Sequence, residues 1–449
     1  MSRHDSELEG FLLAHPDIEL FEVVLCDLAG GQRGKWVTRK KMASVFAGEL
    51  KLPLSSVVFD SWGRDLESFV FENGDGDGCC TVAAGSLAVL PWGRRPMAQV
   101  LVSLDCADGS ENPLDPRRVL AGIEKRFRAR GLQPVLASEM EFSLFMPERD
   151  SLGRPVHTQR DSVGGALEMA QTYGLEAMAS VDTFLHAVHD CSALQQLPVD
   201  TLIKEGTPSQ FEINLLHQAD AVLAADQALL LKRAIRGTAR QHERLATFMA
   251  KPFGDLGGNG MHLHCSVQDT QGANVFDDAS DTGSALLRHA IAGCMRTLPD
   301  IMLLLAPTQN SYRRFQAGMH APLAPCWGYE NRTVALRVPA GPHSAMRLEH
   351  RVPGADAQPH LAMAALLAGM LYGIENELEA PAPIEGNAWE QIQPSLPAHW
   401  PDALARFRRS DFVATYFGER FQSVYSLLKQ QEIDEFARHV TPLEYDTGL

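Results

Sequence analysis

The sequence predicts a mixed α+β protein in two unequal parts. Two observations carry this. Up to about residue 110, short apolar runs (FEVVLCDLAG, SSVVFDSW, TVAAGSLAVLPW) alternate with Gly and Pro, as expected of short strands joined by turns. Beyond that point strands alternate with long helical segments. The expected division is therefore a β-rich part over residues 1–110 and a larger part over 111–449.

The boundary is set by DPRRVLAGIEKRFRARG. Asp115 is suited to the N-cap and Pro116 to the first helical position. Val119, Leu120, Ile123 and Phe127 mark one helical face, and Gly131 ends the helix. Further helices are expected in ADQALLLKRAIRGTARQHERLATF, SALLRHAIAGCMRTL and DAQPHLAMAALLAGMLYGIENEL. The Pro-rich stretch near 380–397 reads as a surface loop before a short helical tail.

Composition bounds the function. With 449 residues, 45% hydrophobic and 21% charged, the chain is of ordinary globular type and long enough for a large core. A formal charge of −16 argues against a nucleic-acid surface and is compatible with cationic substrates. The opening MSRHDSELEGF lacks a long apolar segment, and no run reaches the roughly 18 apolar residues of a membrane span. A cytoplasmic location with no membrane partner is expected. The eight cysteines form no CxxC pair, so neither a disulfide framework nor a zinc ribbon is indicated.

Chemistry-bearing residues recur at strand spacing. In SEMEFSLF, Glu139 and Glu141 share one face while Met140, Phe142 and Leu144 cover the other. Two half-buried carboxylates side by side are costly without a proton or cation between them. In MHLHCSV, His262, His264 and Ser266 share a face. In RLEHR, Arg347, Glu349 and Arg351 do the same, and Glu212 lies in SQFEIN with Glu205 a turn upstream. Singly, an ExE pair is ordinarily a solvated strand face, HxH ordinarily hydrogen-bonded structure, and RxExR a surface ion-pair ladder. Together, glutamates and histidines suit a hard-to-borderline divalent ion such as Mg²⁺ or Mn²⁺, and the arginines suit an anionic, phosphorylated partner.

Two glycine-rich stretches point elsewhere. AGGQRGKW departs from the phosphate-loop pattern at Ala29 and Trp36. GDLGGNGMHLH runs straight into the histidine strand, so its glycines suit close backbone approach to a ligand.

EMEFSLF, KEGTPSQFEINLLHQAD, KPFGDLGGNGMHLHCSV, NSYRRF with APLAPCWGYENRTVALRVP, and RLEHRVPGADAQPHLAMAALLAG follow one another as in the glutamine synthetase family, which the chain resembles over essentially its whole length. The resemblance implies a β-grasp-like N-terminal domain and a catalytic domain built on a curved antiparallel sheet. It also implies a homo-oligomer of two stacked rings, a dodecamer, with active sites shared between neighbouring subunits. Glu141, Glu205 and Glu212 match the ligands of one metal ion, and Glu139, His262 and Glu349 those of a second. His264 and Ser266 match nucleotide contacts, and Arg337 and Arg347 match arginines on the ATP phosphates. Arg314 and Arg351 match arginines that hold glutamate or its phosphorylated γ-group. Arg332 matches one serving phosphoryl transfer, and Gly258 a glycine whose backbone contacts substrate. The implied reaction uses ATP to phosphorylate the γ-carboxylate of glutamate, after which a nitrogen nucleophile displaces phosphate.

Departures from the pattern bear on the nucleophile. Ammonia-using members carry a glutamate after SYRRF, where QAGMHAP places His320. A second acid associated with ammonium is matched by Asp60 in FDSWG. Losing a carboxylate weakens selection for a small cation, while a neutral imidazole still serves as a base near pH 7. The expected nucleophile is therefore a primary amine or polyamine, as in the γ-glutamylpolyamine and γ-glutamylamine ligases of the family. The alternatives are glutamine synthesis from ammonia and a non-catalytic structural or regulatory member. The latter would be expected to lose ligands that are all present here.

Overall fold

A computed structural model describes residues 3–158, 171–316, 318 and 321–448. The first sheet is six-stranded: β1 (Leu20–Cys26), β2 (Gln32–Thr38), β3 (Lys51–Pro53), β4 (Asp77–Val82), β5 (Ala88–Val89) and β6 (Met97–Asp105). Its order is β2-β1-β6-β4-β3, with β5 also on β6 and β1 parallel to β6. The turn between β1 and β2 is the glycine-rich stretch that mimics a phosphate loop. Asp27 organises it by accepting the amides of Ala29 and Gly31 at 3.0 and 2.6 Å and the Nε–H of Arg33 at 2.7 Å.

SSVVFDSW, expected as a strand, forms a 3₁₀ turn over Leu54–Val57 followed by a second turn. Asp60 causes the second turn: its Oδ1 accepts the amides of Trp62 and Arg64, both at 2.9 Å. Such local side-chain bonds compete with a strand ladder.

The second sheet has nine strands: β7 (Gln133–Arg149), β8 (Pro155–His157), β9 (Val199–Lys204), β10 (Gln210–Leu215), β11 (Leu245–Thr247), β12 (Met261–Gln268), β13 (Trp327–Tyr329), β14 (Leu336–Val338) and β15 (Leu348–His350). The order is β13-β14-β15-β12-β7-β10-β9, with β8 and β11 along β7. Pairing is antiparallel except between β13 and β14. Met140, Phe142 and Leu144 of β7 and Met261, Leu263, Cys265 and Val267 of β12 are buried on the core face.

The helix at the boundary spans Pro116–Arg128, and the Asp115 side chain accepts the amides of Arg117 and Arg118 as its cap. Gly131 follows in the left-handed region at φ +70°, where glycine is favoured. The helix Pro359–Glu375 is buried on nearly every side, as its near-continuous apolar sequence requires. It packs on Ala285–Leu305, and the approach depends on small residues. A Cβ at Gly373 would collide with the His289 carbonyl. The helical tail is longer than expected, running through Trp400–Arg408, Asp411–Phe417 and Glu419–Arg438. The first sheet docks on helix Ala221–Gln241 through Arg233, which bonds Gln99 at 2.6 Å and Gln32 at 2.9 Å and pairs with Glu22. None of the described helices is long and apolar enough to cross a membrane.

Candidate active site

Register across the second sheet assembles the acids. Glu141 of β7 faces Glu212 of β10, and Glu139 faces His262 of β12. His264 faces Glu349 of β15, which faces Arg337 of β14. One run of cross-strand neighbours thus carries six acids and bases and an arginine from five strands.

The hydrogen bonds centre on Glu139. Its Oε2 lies 3.1 Å from His262 Nδ1 and its Oε1 2.9 Å from His264 Nε2. Arg347 Nε donates to His264 Nδ1 at 3.2 Å, which leaves the other ring nitrogen as the donor toward Glu139. Glu349 is buried, with Arg337 Nη1 at 2.8 Å on one oxygen and Arg351 Nη1 on the other. The Nε atoms of Arg337 and Arg351 are buried and have no partner among the described residues, which suits an anionic ligand.

Electrostatics separates these carboxylates. Burial pushes Glu139 up, but the hydrogen bonds and charges of His262 and His264 outweigh it and hold the group well below the usual range. Burial likewise opposes Glu349, yet Arg351 and then the two histidines pull it down to about 2. Glu205 moves the other way, to about 7, through burial and the charge of Glu141. Glu212 rises to about 9 through burial and the charges of Glu139, Glu141 and Glu205. Acids that repel one another this strongly hold protons in the absence of a cation and release them to one.

The donor set therefore fits a divalent ion of oxygen and imidazole preference. Ligand atoms of Glu139, Glu212 and His262 lie within 4.8 Å of one another, as do those of Glu139, His264 and Glu349. His262 Nδ1 also lies 3.8 Å from Glu349 Oε1, so Glu139, His262 and Glu349, one of the two sets the resemblance implies, adjoin one another. Glu212 converges with Glu139 and His262, and His264 stands beside Glu349. Glu141 belongs to neither triple; its Oε2 accepts the Gly260 amide at 2.6 Å and Gln210 Nε2 at 3.2 Å. Glu205 follows β9 and bonds across a tight turn to Gln210.

The remaining expected residues are dispersed around this centre. Arg314 is buried and donates to the Val352 carbonyl at 2.7 Å. The Gly258 carbonyl accepts Gln210 Nε2 at 2.9 Å. Ser266 lies on β12 beyond His264, opposite Val135. Arg332 lines a cavity of about 480 Å³ with Glu330, Asn331 and Glu385. Asp60 is fully engaged within its own turn and with Arg64 Nε at 2.8 Å and Gln431 Nε2 at 3.0 Å, none of which belongs to the Glu139 cluster. His320 lies outside the described residues.

Two residues escaped the sequence reading. Gln210 ties Glu141 to the Gly258 carbonyl. The ring of His217 stands edge-on to His264 at 6.3 Å. Gln210 shares the face of Glu212 at i+2, a signal present in SQFEIN but shared by countless polar strands.

The fold and this array of acids, histidines and arginines are of the glutamine synthetase kind, and the comparisons agree. The family description "Glutamine synthetase, catalytic domain" matches residues 113–447, and the chain belongs to this family. It is 38% identical to a gamma-glutamylputrescine synthetase, PuuA, of Escherichia coli, over 100% of this chain and 95% of that one. It is 32% identical to a gamma-glutamylethanolamide synthetase of Streptomyces coelicolor, over 83% and 79%. A solved structure described as "Apo GmaS without ligand" shares the fold at a TM-score of 0.85, with 24% identity over 98% of this chain and 99% of that one.

Proposed function

We propose that this protein is an ATP-dependent ligase that joins the γ-carboxylate of L-glutamate to a primary amine or polyamine. The observation that carries this is the full-length similarity to a gamma-glutamylputrescine synthetase; the resemblance that matches His320 to the glutamate of ammonia-using members points the same way. The γ-phosphoryl group of ATP passes to the glutamate γ-carboxylate, giving γ-glutamyl phosphate and ADP. The amine nitrogen then attacks the acyl carbon, phosphate leaves, and the nitrogen loses a proton to yield the γ-glutamylamide.

Each side chain has a part in this. Arg337 and Arg347 hold the ATP phosphates, His264 and Ser266 the nucleotide, and Arg332 steadies the transferring group. Arg314, Arg351 and the Gly258 backbone position glutamate. His320 takes the proton from the amine, while Asp60, the acid that the resemblance associates with ammonium, keeps to its own turn through Arg64 and Gln431. Glu139, Glu141, Glu205, Glu212, His262 and Glu349 would hold Mg²⁺ or Mn²⁺. Such ions, when bound, neutralise charge on phosphoryl oxygens. The same proposal places the enzyme in the cytoplasm, with a β-grasp-like part over 1–110 and a catalytic part over 111–449.

Phosphate release with glutamate, ATP and Mg²⁺ across ammonia, monoamines, diamines and polyamines tests the reaction. A turnover requirement for an amine supports it. Release with no nitrogen compound other than ammonia returns the protein to glutamine synthesis, and no release with any of them assigns a non-catalytic role.

A further inference from the structure

Gln210, two residues before Glu212 on β10, uses one nitrogen for two acceptors in different parts of the site. Its side chain is buried, and Nε2 donates to Glu141 Oε2 at 3.2 Å and to the Gly258 carbonyl at 2.9 Å. A carboxylate and a carbonyl can only accept, so the orientation of the amide is fixed and both Nε2 protons are spent. The same Glu141 oxygen accepts the Gly260 amide at 2.6 Å. One carboxylate oxygen therefore holds residues 258–260 at both ends, directly at Gly260 and through Gln210 at Gly258.

The two ends are held differently. Asn259 and Gly260 are also tied by backbone: the Asn259 amide donates to the Ala250 carbonyl at 2.9 Å, and the Glu141 amide to the Gly260 carbonyl at 3.0 Å. The Gly258 carbonyl has no donor other than Gln210 among the described residues. A Cβ at Gly258 would collide with the Ala250 carbonyl and stand 3.3 Å from Arg314 Cγ, so this peptide lies directly against Arg314. Its position follows Gln210, and Gln210 follows Glu141, which faces Glu212 in register. A cation on Glu141 offsets the repulsion between these two acids and fixes the carboxylate. We propose that Gln210 is a positioning residue that couples the cation site to the glutamate site: an ion at Glu141 sets the Gly258 peptide, through Gln210, to receive glutamate. The inference rests on the ligase reading above, in which Glu141 serves a metal ion while Arg314 and the Gly258 backbone position glutamate.

Calorimetric titration of the purified full chain tests the coupling at equilibrium, with L-glutamate added in the presence and absence of saturating Mg²⁺, and Mg²⁺ added in the presence and absence of L-glutamate. In the parent, each ligand should tighten the other by the same factor, about fivefold or more, as linkage requires. Gln210→Met keeps the length of the side chain and removes both donors. The factor should fall to about twofold or less in this variant, while Mg²⁺ alone binds within about threefold of its parent affinity. Gln210→Asn keeps the amide but is one methylene too short to span both acceptors; it should lose the coupling likewise, and it decides the matter if Gln210→Met does not fold. A merely structural residue would weaken both single affinities and leave the factor where it was, and that result overturns the proposal. So does a parent chain whose glutamate binding ignores Mg²⁺ or is absent. Amine-dependent phosphate release by that parent would show that the ligase reading still stands, and its lack would show that both have failed.

Discussion

Glu141 on β7 sits in direct register opposite Glu212 on β10, a like-charge pair at the one position in a sheet where such pairs are least favourable. Burial first, and then repulsion from the neighbouring carboxylates, raises Glu212 to about 9 and Glu205 to about 7. A fold that keeps this arrangement gives up stability in return for a place to hold a cation.

Stability without metal should therefore depend on pH in a defined direction. Glu205 and Glu212 are raised from 4.5, so the folded chain retains protons that the unfolded chain releases. Their contribution is complete below 4.5 and is lost as pH climbs through about 7 and then about 9. Glu349 acts oppositely: lowered to about 2, it adds stability above 4.5 that disappears as pH falls toward 2. Calorimetric Tm in EDTA should fall between pH 6 and 9, and Mg²⁺ should raise Tm more at pH 9 than at pH 6.

Replacing Glu212 by Gln separates stability from function. The neutral amide removes one member of the repelling set, so metal-free Tm at pH 9 should rise above that of the parent. The Mg²⁺-induced increase in Tm should shrink, with ATP turnover falling about 100-fold or more. Unchanged Mg²⁺ stabilisation in this variant would remove Glu212 from the metal site.

Glu139→Ala and Glu141→Ala should each abolish phosphoryl transfer while leaving the far-ultraviolet circular dichroism intact. Glu139 touches both histidines, whereas Glu141 bonds the Gly260 amide and Gln210. The first variant should accordingly lose metal affinity most, and the second should also weaken glutamate binding in an equilibrium titration. Retained activity in both would make the pair a solvated strand face.

Gly373→Ala tests the packing beneath the sheet. The added methyl would collide with the His289 carbonyl and Gly293 on the facing helix. Overpacking of this kind costs about 1–3 kcal/mol, readable as a lower urea midpoint with an unchanged slope.

Much of the site was legible because a strand repeats every two residues: Glu139 with Glu141, and His262 with His264, fell on common faces from spacing alone. Cross-strand register has no such signature. It is register that sets Glu139 against His262 and brings His264 to Glu349, so which acid meets which histidine could not be read from spacing. The strand expected in SSVVFDSW gave way to turns because Asp60 bonds its neighbours' amides, a local competition that apolar pattern does not report. The cap at Asp115 was legible because its partners are adjacent in sequence.

The nucleophile is the central question, and His320 is its pivot. The most direct measurement is kcat/KM for putrescine and for ammonia at matched pH, in the parent chain and in His320→Glu. Putrescine should exceed ammonia by at least tenfold in the parent, and the restored carboxylate should narrow or reverse that ratio. A parent enzyme that prefers ammonia, with a ratio unmoved by His320→Glu, would contradict the assignment of an amine substrate.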